Sequence, residues 1–349
     1  VKRRNVLSSA AGLAGAAALG SLPAAPARAG TAPLLALGEL ENLVYGFPRE
    51  AAPVPLTLVR RNVASARADF AAARYDRLAA ALPSLLSTAA ATRAHADVDH
   101  AAAAAAVLAD AYGVASALAV KRNDDQLAWS TADRAFQAAE QSGDPLTIAD
   151  ARRALATVLR RRGRREAARD LLVRAAGEIE PGPHASREQL QMYAMLMQVA
   201  AFTAAVDQNR SDANSFLVEA TEAARRLGRD DAYGHLMTGP SSVRLYQVSV
   251  AQVLGDNGEA IRHARTLRLA DVPTAERKGR LLIDVARAYH QWGHPEPCFR
   301  ALRRAEQVAP AEVRWRPPVH RMTVWLLGAD RRGALPGLRA FAQRVGVPA

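Results

Sequence analysis

The sequence predicts an all-α chain, a right-handed solenoid of stacked helical hairpins. Three observations carry this: the composition, the placement of Gly and Pro, and small residues that recur at whole helical turns. The chain has 349 residues, of which 50% are hydrophobic, 23% charged and only 5% aromatic. That is enough apolar material for one large core or two modest ones, and it excludes disorder as the general state. Alanine fills more than a fifth of the positions, while the β-branched and aromatic residues that favour strands are sparse, so local propensity points to helix almost throughout.

The first segment differs from the rest. Lys2-Arg3-Arg4 leads into Val6-Leu7 and an Ala/Gly/Leu run to Leu22, followed by Pro23 and Ala27-Arg28-Ala29. A cationic start, a weakly apolar stretch and a small-x-small ending have the layout of an export signal. With the paired Arg3 and Arg4 it is similar to a twin-arginine signal, with cleavage expected after Ala29. The apolar run is too short and too rich in Gly and Ala to span a bilayer stably, which takes ~20 strongly apolar residues. The alternative is a flexible linker. Residues 1–37 are therefore read as leader or linker, and residues 38–349 as one helical-repeat domain.

From Leu40 onward the pattern is helix, short turn, helix, with about fourteen helices. The breaks fall at Gly143-Asp144-Pro145, Gly163, Pro181-Gly182-Pro183, Gly228, Gly239-Pro240, Gly255, Pro273, Gly293 and Pro310, where Gly ends helices and Pro stops or opens them. The clearest unit runs from Leu282 to Pro310. Ala286 and Tyr289 share a face of its first helix, Gly293 closes that helix, and Ala301 and Ala305 lie one turn apart on the second. Small residues there let two antiparallel helices approach closely, as in a tetratricopeptide repeat (TPR). Copies recur at Ala168 and Ala175, Ala213 and Ala220, and Ala260 and Ala264, with looser ones at Leu78 and Ala128. The anchors Leu78, Ala128, Ala168, Ala213, Ala260 and Cys298 are 50, 40, 45, 47 and 38 residues apart. These intervals exceed the ~34 residues of the standard repeat, so helices or connections must be extended. Hairpins of this kind bury their apolar faces only on one another.

Chemistry-bearing patterns are few. One cysteine, Cys298, excludes an internal disulfide, and neither CxxC nor HExxH is present to hold a metal. His290, His294 and Cys298 are spaced by four and four, but Gly293 and Pro295 interrupt the helix that would align them, so no metal is expected. The chain lacks a P-loop, a GxSxG and a GxGxxG at any strand-to-helix junction, so neither a cofactor nor an enzymatic activity is expected. The net charge is +12, carried by Arg far more than Lys, and genomic base composition accounts for this as well as an anionic partner does. Arg160, Arg161, Arg162, Arg164 and Arg165 surround Gly163 with no interleaved aromatics, which favours a solvated helix end over a nucleic-acid surface. Trp129, Arg134, Tyr193, Arg244 and Tyr246 are the candidate ligand- or partner-binding residues. They are aromatic or cationic, the types enriched in binding hot spots, and lie on helices that would line a solenoid's inner surface.

The block from Phe70 to Leu85, Asp125-Gln126-Leu127-Ala128-Trp129 with Ala132-Asp133-Arg134-Ala135, and Ser142-Gly143-Asp144-Pro145 carry a family resemblance. So do Gly239-Pro240 with Val243, Leu245 and Tyr246, Ala275-Glu276-Arg277 through Asp284-Val285-Ala286, and Ala309-Pro310-Ala311-Glu312-Val313-Arg314 with Arg316-Pro317. In order and spacing these phrases resemble the C-terminal domain of actinobacterial XRE-type helix-turn-helix transcriptional regulators, over nearly all of residues 38 to 345. The resemblance implies a TPR-like sensory or oligomerisation domain, normally joined to an N-terminal DNA-binding domain. No helix-turn-helix precedes residue 38 here, so DNA contact would come only through a domain not present in this chain. Some family members carry an RR-x-x-L, Ala/Gly-rich stretch between their two domains, which favours the linker reading of residues 1–37. The resulting expectation is a non-enzymatic, cytoplasmic regulatory protein. It would bind a peptide, a small-molecule effector or a protein partner, would have no stable membrane span, and would be open to homo-oligomerisation. The alternative is a scaffold exported by the twin-arginine route.

Overall fold

The computed structural model describes residues 31–46, 51–233, 236–314, 316–330 and 333–348; the expected leader residues Arg3, Arg4 and Ala29 lie outside the described residues. The first helix, α1 (Thr31–Tyr45), runs through the expected boundary at residue 37 and packs on the first two hairpins. Six antiparallel hairpins follow. They are α2 (Leu56–Ala71) with α3 (Tyr75–Ala94), α4 (Val98–Arg122) with α5 (Asp125–Ser142), and α6 (Pro145–Arg161) with α7 (Arg165–Glu178). Next come α8 (Arg187–Val206) with α9 (Arg210–Leu227), α10 (Pro240–Val253) with α11 (Asn257–Arg265), and α12 (Ala275–Gln291) with α13 (Pro295–Val308). Three short helices, α14 (Pro310–Arg314), α15 (Pro317–Ala329) and α16 (Leu338–Arg344), cover the last hairpin. The expected all-α architecture holds, with one addition: β1 (Asp231–Tyr233) and β2 (Leu236–Thr238) pair antiparallel between α9 and α10.

One local rule builds all six hairpins. The residues Ala73, Asn123, Gly163, Gln208, Gly255 and Gly293 have φ between 55° and 84°, and each stands one position before the N-cap of a second helix. The left-handed residue turns the chain so that the N-cap amide bonds back into the last turn of the first helix: Arg164 N to Leu159 O at 2.9 Å, His294 N to Tyr289 O at 2.9 Å. This is the helix-terminating geometry that Gly favours. Five residues after each left-handed position stands one of the anchors Leu78, Ala128, Ala168, Ala213, Ala260 and Cys298. Each is fully buried and donates its amide to the N-cap carbonyl. The repeat read from the sequence is thus the turn and a fully buried first-turn position of every second helix.

Stacking follows from the hairpins. Each second helix packs on the first helix of the next hairpin, and the first helices α2, α4, α6, α8, α10 and α12 contact one another in succession. This is a TPR-like helical-repeat array, and its small anchors permit the close helix approach that the stacking needs. Helix α4 is long and apolar enough to cross a bilayer. Its buried residues, among them Ala105, Ala111, Ala115 and Leu118, instead pack on neighbouring helices, as in an interior helix. The array also curls back on itself: α12 contacts α2, so the last hairpin meets the first.

Candidate ligand cavity

Curling forms an open-mouthed cavity of about 400 Å³, lined by residues of α2, α4, α6, α8, α10 and α12 together with Thr274, the N-cap of α12. Every hairpin therefore contributes its first helix. Its volume lies within the ~300–1,000 Å³ of small-molecule sites. The two walls differ. Helices α2 and α4 present Ala64, Ala68, Ala71, Gly113, Ala117 and Val120, with Phe70 beside them. Opposite them, α6 presents Arg153, Thr157 and Arg160, spaced i, i+4, i+7 and hence on one helix face. Phe202 of α8, Tyr246 of α10, and Arg277 and Arg280 of α12 complete that wall.

The second wall concentrates positive charge around two rings. Arg160 and Arg280 lie 5.0 and 5.4 Å from the centre of the Phe202 ring, and Arg280 and Arg277 lie 5.4 and 5.9 Å from that of Tyr246. Burial opposes ionisation of the Tyr246 phenol, but Arg280, Arg277, Arg153 and Arg160 outweigh it and hold the group below its ordinary value. Burial, and after it the charges of Arg280, Arg161 and Arg153, bring the Arg160 guanidinium down to about 10 against the pull of Tyr246. Counter-charges are unevenly shared. Arg153 meets Asp150 at 2.7 Å, Arg277 meets Glu276 at 3.4 Å, and Arg280 reaches Asp284 only at 3.8 Å. Arg160 donates to Thr203 Oγ1 at 3.1 Å and has no carboxylate partner among the described residues.

A buried polar latch lies beside the cavity, where the first and last hairpins meet. Lys121 of α4 donates to Glu276 of α12 and to Glu312 of α14, the latter at 2.6 Å. Glu312 also accepts from Tyr75 of α3 and, at 2.6 Å, from Arg316 Nε. Both carboxylates are almost without exposure. Burial alone would raise them, but Lys121 and Arg277 hold Glu276, and Arg316 and Lys121 hold Glu312, below the usual carboxylate range. Burial pushes the Lys121 ammonium down. Gly279 makes the approach possible, because a Cβ there would stand 2.8 Å from Ala309 Cβ and 3.1 Å from Glu312 Cβ.

Of the five residues singled out from the sequence, Tyr246 lines the cavity and the other four lie elsewhere. Trp129 and Arg134 are on α5, a second helix: Arg162 stacks over Trp129, and Arg134 donates to the Val44 carbonyl of α1. Tyr193 bonds Glu219 of α9 at 3.2 Å, and the exposed Arg244 reaches the Thr266 carbonyl at 3.5 Å. The arginine cluster at Gly163 divides. Arg160 turns into the cavity rather than forming part of a solvated helix end, because it lies on the inward stripe of α6, while Arg161 pairs outward with Asp125 and Asn123. His290 stacks edge-on to Trp325 with centroids 4.6 Å apart, and Cys298 Sγ faces Met322 Sδ at 4.0 Å. Among the described residues no three His, Cys, Asp or Glu side chains are grouped to hold a metal ion.

No family model matches the chain, and no curated protein does. Among solved structures, the chain is similar to a Rap protein complexed with competence and sporulation factor, at 14% identity and a TM-score of 0.49, covering 84% of this chain and 88% of that one. It is also similar to BtubC from P. vanneervenii, at 18% identity and a TM-score of 0.37, covering 74% and 94% of the two chains. The helical-repeat assignment rests on this chain's own hairpin geometry.

Proposed function

We propose that the chain is a non-enzymatic regulatory protein, the ligand-sensing part of a transcription regulator, whose cavity takes a small molecule or a short peptide. The observation that carries this reading is the lining of one cavity by the first helices of all six hairpins. A ligand there touches every repeat, so its binding free energy bears on how tightly the array curls. It can shift that curl only by its differential affinity for the two arrangements. Among the described residues the lining holds no His or Cys, and its one acid, Glu276, is already committed to Lys121 and Arg277. Such a wall is suited to binding and orienting a ligand. The resemblance to XRE-type regulators supplies the transcriptional context, with DNA contacted through a separate domain.

Ala68 is exposed on α2 and faces the cavity, so Ala68→Trp fills the space without displacing a packed side chain. Transcript profiles of the host carrying Ala68→Trp should differ from wild type and no longer respond to the conditions that wild type senses. Profiles and responses identical to wild type, with the variant folded and equally abundant, contradict the sensing role of the cavity.

A further inference from the structure

We infer that the cavity is built for a ligand with a phosphate monoester head and an apolar body. Arg160, Arg277 and Arg280 together with the Tyr246 hydroxyl would take the phosphate, and the alanine wall of α2 and α4 would take the body. This deepens the proposed function and rests on its reading of the cavity as the ligand site.

The argument starts from an electrostatic imbalance. Three guanidinium groups crowd two neighbouring rings, with Arg280 against both Phe202 and Tyr246. Glu276, the counter-ion of Arg277, is shared with Lys121, Asp284 stands at 3.8 Å from Arg280, and Arg160 has no carboxylate among the described residues. Like charges held together in a partly desolvated space repel strongly unless a counter-charge enters. The ring faces offset part of this through cation–π attraction, but they supply no anion.

The shape of the donor set selects the anion. A guanidinium presents a planar fork that grips two oxygens. A carboxylate has two oxygens and is satisfied by one or two such forks. A phosphate monoester has three terminal oxygens and up to two negative charges, matching three forks and a phenolic O–H that line one cavity around two neighbouring rings. The Tyr246 phenol, held below its ordinary value by Arg280, Arg277, Arg153 and Arg160 against its own burial, is a further sign of the positive charge gathered there. The opposite wall makes the rest of the ligand apolar. Its small side chains leave a smooth face with Phe70 at one side, and the cations flanking it are paired, Arg67 with Asp110 and Lys121 with Glu276 and Glu312. A ligand polar along its whole length would leave half of its groups unsatisfied against that face.

The test is calorimetric titration of the full chain with phenyl phosphate, inorganic phosphate, phenylacetate and phenol, using wild type, Arg160→Met, Arg280→Met and Ala68→Trp. Arg300→Met, an exposed position outside the cavity, is the control. Phenyl phosphate should bind wild type about tenfold or more tightly than either phenylacetate or inorganic phosphate, and each cavity arginine variant should weaken it about tenfold, the scale of one charge-assisted hydrogen bond. Ala68→Trp should abolish binding and Arg300→Met should leave it unchanged. Without ligand, Arg160→Met should melt at or above the wild-type temperature, because it removes an uncompensated charge; a purely structural arginine would melt lower. Phenylacetate binding as tightly as phenyl phosphate, binding only of phenol, or binding of none of the four probes overturns the phosphate assignment. The first two results, if lost in Ala68→Trp, leave the cavity standing as a ligand site. The transcript profile of Ala68→Trp decides the cavity reading separately, whatever the probes do.

Discussion

Lys121 shows how much of this architecture turns on single residues. Its ammonium is the point at which α4, α12 and α14 are tied together, through two carboxylates that have no water to fall back on. Removing one partner of a buried ion pair leaves the others charged and unpaired, at a cost of about 3–5 kcal/mol. Lys121→Met is therefore expected to lower the unfolding free energy by about that much in urea titrations. The latch also sets a pH dependence. Glu276 and Glu312 are held below their ordinary value of 4.5 in the folded state, so the unfolded chain binds their protons first as pH falls. Their contribution is complete above the unfolded value and is lost as pH drops through the folded ones. Wild-type stability should fall steeply below about pH 4.5, and in Lys121→Met that slope should be shallower, because the carboxylates have lost the charge that depressed them. At this scale the sequence was readable only in part. Tyr246 could be named from residue type and position. The latch could not, because Tyr75, Lys121, Glu276 and Glu312 are brought together by the curling of the whole array.

At the scale of elements, the hairpin turn is the unit that repeats. Its left-handed position is Gly in three turns and Asn in one, but Ala73 and Gln208 in the other two. Gly163 has φ of +79° with open space where a Cβ would stand, so Gly163→Ala meets backbone strain and no clash. The expected cost is about 1–2 kcal/mol, read from the shift in thermal unfolding, with the fold retained. Asn123→Gly should be neutral by comparison, since Asn tolerates this conformation. These turns explain why the repeat was legible. The signal is local: Gly163, Gly255 and Gly293 mark the stop, and a small or apolar residue five positions later marks the first buried contact. Ala73 carries no such mark and Asn123 only a weaker one, which is why the copies at Leu78 and Ala128 read as loose. Sequence also could not decide which helix of a hairpin faces inward. The sequence suggests the inner surface for Trp129 and Arg134, whereas α5 is a second helix and the cavity belongs to the first helices. Pro310, read as a stop, ends α13 and also opens α14, the helix that supplies Glu312 to the latch.

For the whole molecule, the decisive property is closure. Six hairpins, each specified by local rules, curl far enough for α12 to meet α2, and the meeting turns a groove into a cavity. No segment of sequence encodes that return; it is the accumulated rotation between successive repeats. The inward direction of Arg160 is a consequence of the same curl, and at a helix end with four other arginines nearby it could not be told from a solvated group. Closure makes the cavity and the latch one mechanical system, since Glu276 both lines the first and anchors the second. A ligand that neutralises the α12 wall should therefore tighten the seam between first and last hairpins. Hydrogen exchange of the full chain with and without saturating phenyl phosphate tests this most directly. The account predicts slower exchange at the amides of α2, α4 and α12, with α15 and α16 unchanged. Exchange unaltered at α2, α4 and α12 while the probe is bound would contradict it.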